Sequence, residues 1–441
     1  MRKFRPYIGI ILSILFVALC CTTQVKTLLS LPDSQRLVVG ETSSISFKLP
    51  AALDEKLQML VMEPAQSVFA SPEDPTISIT KSVDGYEIAA LKPGKVDVQL
   101  KLLGYIPIKS IAIESVPTHR VVLGGHSIGV VLQSRGIMVV GFAPVIGSDG
   151  QKHYPAKDQG VEIGDLIMKT ANKEVATEND LARIIDEHQE KALDLTIKRR
   201  GKIINLNVKP QFCPETQRNR IGLYVRDGVV GVGTMSFWNP STKEYAALGH
   251  IIMDADTKQG IDVLKGKIVS ASIQTIKPGK PGKPGEKIGI FNSQGSVEGN
   301  ISKNTYFGIY GTTDNDIANP MVDYTMEVGY AHQVQVGKAE IYTVVNGDDI
   351  ERFEIEIENV YPERENGKGM VLKVTDPRLL GLTGGIIQGM SGSPIVQNSR
   401  IIGAVTHVFL NDPERGYGIF MDNMLSELPS ASAASIKVST N

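Results

Sequence analysis

The sequence predicts a mainly β protein folded in several parts. Three observations carry this. Short Val/Ile/Thr-rich runs alternate polar and apolar residues; 43 Gly and 23 Pro punctuate them; and 441 residues exceed what one core organises. The balance of 46 Lys+Arg against 48 Asp+Glu leaves a net charge of −2, which offers no footprint for nucleic acid or an anionic membrane surface. Two of the three cysteines, Cys20 and Cys21, lie in the N-terminal apolar stretch. The folded part therefore keeps only Cys213, too few for an internal disulfide or a Cys-based zinc site.

The elements follow in order. Arg2, Lys3 and Arg5 precede the apolar run "YIGIILSILFVALCC" (residues 7–21), so residues 1–24 read as an export signal peptide or signal-anchor. The run is shorter than the ~20 residues a full membrane span needs. Leu19 and Cys20 stand where a signal-cleavage site has small residues, which favours an anchor that is cleaved slowly or not at all. Residues 30–117 alternate in segments such as "TISITKS" and "KVDVQLKLLG", the pattern of antiparallel strands in a small β-sandwich-like domain.

Residues 118–210 read differently. Two strands are followed by "GVEIGDLI" and by the helix "ENDLARIIDEHQEKA". In that helix Leu181, Ile184 and Ile185 share one face, and Thr177 or Asn179 is placed to cap it. A hairpin, "LDLTIKRRGKIINLNVKP", closes the module. The following segment, residues 211–425, is strand-rich and long enough for two six-stranded barrels. Within it "KPGKPGKPGE" (277–286) reads as a solvated loop tip, and the Ser/Ala-rich residues 426–441 as a flexible tail.

The chemistry concentrates in "TGGIIQGMSGSPIVQNSRIIGAVTH", residues 383–407. A serine nucleophile needs a sharp turn, backbone N–H groups aimed at the developing oxyanion and a base within reach. Glycines on both sides of Ser391 permit the turn, and the N–H groups of Gly389 and Ser391 are placed to converge on one oxygen. Ser393 is the rival nucleophile. Of seven histidines, His250, His332 and His407 fall in the same β-rich segment. His250, in "ALGH" at a strand end, is the best-placed base, whereas His407 reads as structural. Asp376, at the end of another strand, is a candidate orienting carboxylate; Asp254 and Asp256 are as easily turn residues. Neither the cysteines nor the histidine spacing offers a metal site, and serine chemistry needs no cofactor.

Two resemblances sharpen this reading. Residues 118–210 resemble a PDZ domain, a family that binds a peptide by strand addition at a carboxylate-docking loop. By that resemblance the loop is "GGHSIGVVL", with Ser127, Ile128, Gly129 and Val130 against the peptide. The "ALGH…D-x-D-T" stretch, the "KPGKPGEKIG" loop and "TGGIIQGMSGSPI" resemble the stage IV sporulation protein B serine peptidases of endospore-forming bacteria. That resemblance implies a chymotrypsin-like double β-barrel with His250 as base, Asp376 as orienting acid and Ser391 as nucleophile. It also implies export across the forespore membrane into the intermembrane space and at least transient anchoring there. Self-cleavage and cleavage of a membrane-anchored regulator of an intramembrane metalloprotease would follow, which triggers processing of a sigma-factor precursor. One departure stands out: chymotrypsin-like enzymes carry an acid just before the nucleophile, and this chain has Met390. The competing reading is a PDZ scaffold with a degenerate peptidase domain.

Overall fold

The structure, a computed structural model, describes residues 31, 33–46, 56–62, 75–82, 85–292, 295–362, 364 and 366–428. The signal-like residues 1–24 and the tail from residue 429 lie outside them. No helix among the described residues is long and apolar enough to cross a membrane. The chain divides into two compact units, Met1–His119 and Arg120–Asn441.

The first unit is a small sandwich of seven strands among the described residues: β1 (Ser34–Val38), β2 (Thr42–Ser46), β3 (Leu57–Met62), β4 (Ile77–Ser82), β5 (Gly85–Ala90), β6 (Gly94–Leu102) and β7 (Ile106–Val116). One sheet runs β1-β7-β6-β3 with β1 parallel to β7; the other runs β2-β5-β4. Alternation does the sorting. Ile88, Val98, Leu100, Ile111 and Ile113 point into a shared core at 1% exposure or less, with polar neighbours outward.

The second unit begins with β8 (Arg120–Leu123) and the long β9 (Ser127–Phe142). β9 leads into a module built of β10 (Val145–Ile146), β11 (Lys152–His153), α1 (Pro155–Asp158), β12 (Leu166–Thr170), β13 (Lys173–Glu174), α2 (Glu178–His188), β14 (Leu193–Arg199), β15 (Lys202–Val208), β16 (Gln211–Cys213) and β17 (Arg218–Arg220). β18 (Leu223–Trp238) leads back. Residues 138–142 pair with 223–226 at the module end, and residues 127–133 pair with 228–234 at the other. The boundary expected at 118–210 is therefore displaced. β9 and β18 each run on from the barrel into the module, and the PDZ-like module is an insertion between their barrel stretches.

Inside the module, α2 is capped by Thr177, whose hydroxyl accepts the Asp180 N–H at 3.1 Å. Its apolar face buries Leu181, Ile184 and Ile185 against Ile137, Ile167, Leu195 and Ile221. Asp165, from the Gly-Asp motif, is fully buried. It accepts two 2.7 Å bonds from Arg199 and one at 2.8 Å from the Glu162 N–H.

The remaining strands form two closed six-stranded antiparallel barrels. The first uses β9, β18, β19 (Glu244–Ala247), β20 (Val263–Lys277), β22 (Glu298–Asn300) and β24 (Gly308–Thr312); β21 (Glu286–Asn292) and β23 (Lys303–Thr305) extend it. Its ring runs β9-β18-β19-β24-β22-β20 and returns to β9. After β25 (Met326–Val328) and a 3₁₀ turn (Ala331–Gln333), the second uses β26 (Gly337–Val344), β27 (Ile350–Val360), β28 (Met370–Val374), β29 (Pro394–Gln397), β30 (Arg400–Phe409) and β31 (Asp412–Phe420). Helix α3 (Pro377–Thr383) precedes β29, and α4 (Met421–Ser426) follows β31. Its ring runs β26-β27-β28-β31-β30-β29. Both rings share one strand order, 1-2-3-6-5-4, so the expected double β-barrel is present. β8 stitches them together, pairing Leu123 with Phe237 of the first barrel and Val121 with Met326 beside the second.

Arg199→Met strands a buried carboxylate in the module. A loss of about 3 kcal/mol is expected, read as a lower urea midpoint for loss of the module's secondary structure.

Candidate active site

The site lies in the groove between the barrels, a cleft of about 440 Å³ lined by His250, Ser391, Thr406 and His407 among mostly aliphatic neighbours. Each side chain arrives there for a local reason. His250 stands just beyond β19, after Leu248 and Gly249, where Gly249 at φ +70° packs on Thr406 and Ile419 of the second barrel. Its Nδ1 lies 2.9 Å from the Ile251 carbonyl. A carbonyl only accepts, so the proton sits on Nδ1 and the Nε2 lone pair is left for base chemistry. Burial pulls the His250 pKa below the ordinary imidazole value, opposed in part by the Ile251 carbonyl. The loop after it is steadied by Asn304. Its amide accepts the Ile252 N–H at 2.8 Å and donates to the Ile252 and Ile261 carbonyls at 2.9 and 3.0 Å.

Ser391 sits on the turn between α3 and β29. Gly389 and Gly392 both take φ +94°, the left-handed region that glycine enters without strain. A methyl group on Gly392 would overlap the Thr234 carbonyl and the Leu248 backbone of the first barrel. That close approach sets the Ser391 turn against Leu248, two residues before His250. Thr234 completes the clasp. Its N–H donates to the Ser391 carbonyl at 3.0 Å and its hydroxyl to the Gly389 carbonyl at 2.7 Å. With those two carbonyls engaged, the Gly389 and Ser391 N–H groups donate to no protein acceptor among the described residues. They are free for an oxyanion. Ser391 Oγ donates to the Thr406 carbonyl at 2.7 Å and lines the same cleft as His250. The rival, Ser393, is fully buried and donates at 2.6 Å to the Met390 carbonyl, with no route to a substrate.

Several expectations need correction. Asp376 does not reach His250. It caps α3, accepting the Arg378 N–H at 2.9 Å, and is ion-paired with the Arg378 guanidinium at 2.9 Å. The Arg378 pairing keeps its carboxyl below the usual range. His407, read from sequence as structural, lines the cleft with its ring centroid 5.1 Å from that of His250. Desolvation, with His250 and Lys368 nearby, pushes its pKa down to about 4. His332 instead stacks beside Tyr330 on the 3₁₀ turn. The residues expected to form the peptide-docking loop, Ser127, Ile128, Gly129 and Val130, are wall residues of the first barrel. They are buried and paired with β18 on one side and β20 on the other, so no edge remains for strand addition.

Sequence reasoning also missed the setting of the "KPGKPGKPGE" loop. Its backbone docks on the second barrel instead of standing free: the Gly279 N–H donates to the Thr383 carbonyl at 2.8 Å and the Gln388 N–H to the Gly285 carbonyl at 2.9 Å. Glycine is required because a methyl on Gly285 would overlap the Lys277 carbonyl and Gly279 N. Arg226, on β18, binds Asp254 at 2.5 Å and Asp256 at 2.8 Å, tying the module's return strand to the loop after His250. The long-range pairings behind both features leave no local sequence signal.

Residues 217–425 match the family model described as SpoIVB peptidase S55. The C-terminal segment belongs to that peptidase family. With a glycine-framed serine and a histidine sharing one inter-barrel cleft, the S55 segment is a serine peptidase domain. Among curated proteins, a protein described as a zinc metalloprotease from Treponema pallidum is 28% identical over 82 residues, 19% of this chain and 18% of that protein. A similarly described protein from Brucella suis is 30% identical over 84 residues, 19% of this chain and 22% of its own length. The chain thus spans about a fifth of the length of the curated relatives it matches. Among solved structures, the PDZ domain of the SdrC-like protein of Listeria monocytogenes shares 19% identity at a TM-score of 0.18, covering 21% of this chain and 90% of that one. The Rv3671c protease in its inactive form shares 11% at 0.25, covering 44% and 82%.

Asp376→Ala removes a helix cap and the nearer of the two carboxylates beside Arg378. Stability is expected to fall by about 1–2 kcal/mol, while a fluorophosphonate still labels Ser391 in the folded fraction. Thermal melting and labelling of the same sample check both halves.

Proposed function

We propose that Ser391 is the nucleophile and His250 the general base of an exported signalling endopeptidase that cleaves itself and then a membrane-anchored regulator of an intramembrane protease. The observation that carries the chemistry is the turn at Gly389–Gly392: a serine at a cleft, flanked by two unengaged N–H groups, beside an imidazole whose Nδ1 is already committed. On this reading Ser391 Oγ attacks the scissile carbonyl and passes its proton to His250 Nε2. The Gly389 and Ser391 N–H groups receive the oxyanion. His250 then protonates the leaving amine, and water hydrolyses the acyl-enzyme. The Ile251 carbonyl orients the imidazole where other serine peptidases use a carboxylate. The aliphatic cleft walls, among them Ile251, Ile252, Ile386 and Ile387, suit an extended peptide with apolar side chains.

The signalling role is supported by the family match of residues 217–425 and by the positively flanked apolar N-terminus, which suits export into the intermembrane space around a forespore with at least transient anchoring. The PDZ-like insertion supports control by a peptide segment of this chain or of its partner. Such a peptide would need an unpaired strand edge. In β18, residues 223–226 pair with β9 along one edge, and α2 packs near β17 and β18.

Ser391→Ala and His250→Ala should each stop self-processing, with a loss on the order of 10⁴-fold or more. N-terminal sequencing of the mature protein from wild type and variants reads this, and trimming by purified Ser391→Ala protein would remove Ser391 from the role. The pH dependence has a definite sign. Neutral His250 is the working form and burial lowers its pKa, so reactivity should persist below pH 6.5, the ordinary imidazole value, before it falls. The rate of fluorophosphonate labelling at Ser391 against pH measures that limb.

A further inference from the structure

The mechanism leaves one buried ionisable group unused. Lys287, the second residue of β21, is 5% exposed, and among the described residues its only side-chain hydrogen bond is from Nζ to Thr343 Oγ1 at 2.7 Å. No carboxylate pairs with it among the described residues; the adjacent Glu286 is engaged by Lys277 at the surface. An ammonium without a counter-ion is costly to bury, and burial pushes its pKa down to about 7. A position that needed only apolar packing would be served better by Leu or Met, so the amine calls for an explanation.

Its surroundings supply one. Thr343 Oγ1 lies 3.0 Å from Ser393 Oγ, which donates to the Met390 carbonyl at 2.6 Å. The Lys287 N–H donates to the Gln388 carbonyl at 2.9 Å. Its methylene stem lies beneath Gly389, within 3.0–3.2 Å of where a side chain there would begin. Lys287 thus touches the nucleophile turn at three levels: backbone to Gln388, stem to Gly389, and amine through Thr343 and Ser393 to Met390. Met390 is the residue that replaces the acid which chymotrypsin-like enzymes carry just before the nucleophile.

We propose that Lys287 is a positioning residue that holds the oxyanion turn in its working shape from inside the chain, through Thr343 and Ser393 to the Met390 carbonyl. The turn is then set without an amine released by cleavage elsewhere. The proposal rests on the reading of Gly389 and Ser391 as oxyanion donors.

The test compares full-length wild type, Lys287→Met and Thr343→Val for fluorophosphonate labelling at Ser391, separating the maximal labelling rate from half-saturation, with thermal melting alongside. In Lys287→Met the maximal rate should fall about ten- to a hundred-fold with half-saturation little changed, because donors are displaced and not deleted. Its melting temperature should equal or exceed that of wild type, since a buried amine has been replaced by an apolar group of similar length. Thr343→Val should lower the rate in the same way, and decides the matter if Lys287→Met does not fold. An unchanged rate in a folded variant would overturn the proposal. So would a loss of labelling that merely follows the folded fraction, which marks packing alone. If wild type is not labelled at Ser391, the reading of the site fails and this proposal with it; if wild type and Lys287→Met label alike, only this proposal fails.

Discussion

Thr234 is the point at which two barrels become one site. It is fully buried in β18, and both its N–H and its hydroxyl are spent on the second barrel, on the carbonyls of Ser391 and Gly389. A buried donor left unpaired costs about 1–3 kcal/mol, so these two bonds fix the nucleophile turn against the first barrel. The N–H groups of the same two peptides, on Met390 and Gly392, donate to the Ile387 and Val405 carbonyls, so each peptide is held at both ends. Gly392 makes the approach possible, because no side chain fits between the turn and the Thr234 carbonyl. The placement of Ser391 beside His250 is thus a backbone matter before it is a side-chain one.

A second constraint is the route by which the chain enters the first barrel. Strands β9 and β18 carry hydrogen bonds from the barrel wall to the PDZ-like module, so the module is an outgrowth of a hairpin. At the crossing, Arg226 grips Asp254 and Asp256 in the loop that follows His250, and Lys198 binds Asp262 further along the same loop at 2.9 Å. The loop bearing the base is therefore anchored on one side by Asn304 of its own barrel and on the other by the inserted module.

How much of this was legible from sequence depended on how local the cause was. The alternation in β6 and β7, the cap at Thr177 and the glycines around Ser391 are local, and each was read in place. Asp376 illustrates the failure. An Asp after a strand and before Pro377 reads equally as a catalytic acid or a helix cap, and only the position of Arg378 separates the two. The docking loop failed for a related reason. "SIGVV" looks the same whether its edges are paired or open, and both edges of Ser127–Val130 are taken by strands about a hundred residues or more downstream. Thr234 and Lys287 carry no motif at all; their roles arise from contacts 155 and 56 residues away.

The paired strands have a consequence for how this protein is put together. Gln133 and Gly228 face each other across the ladder at the barrel's edge, with a bulge between Arg226 and Gly228 just beyond. The ninety-odd residues between them leave and return at one point, like a side road off a continuous street. Replacing that excursion with a tight turn would close the barrel without moving any of its strands, whereas a cut at the module's apparent sequence borders would sever a wall. The module is written in the middle of the barrel pair, and the bulge marks the seam.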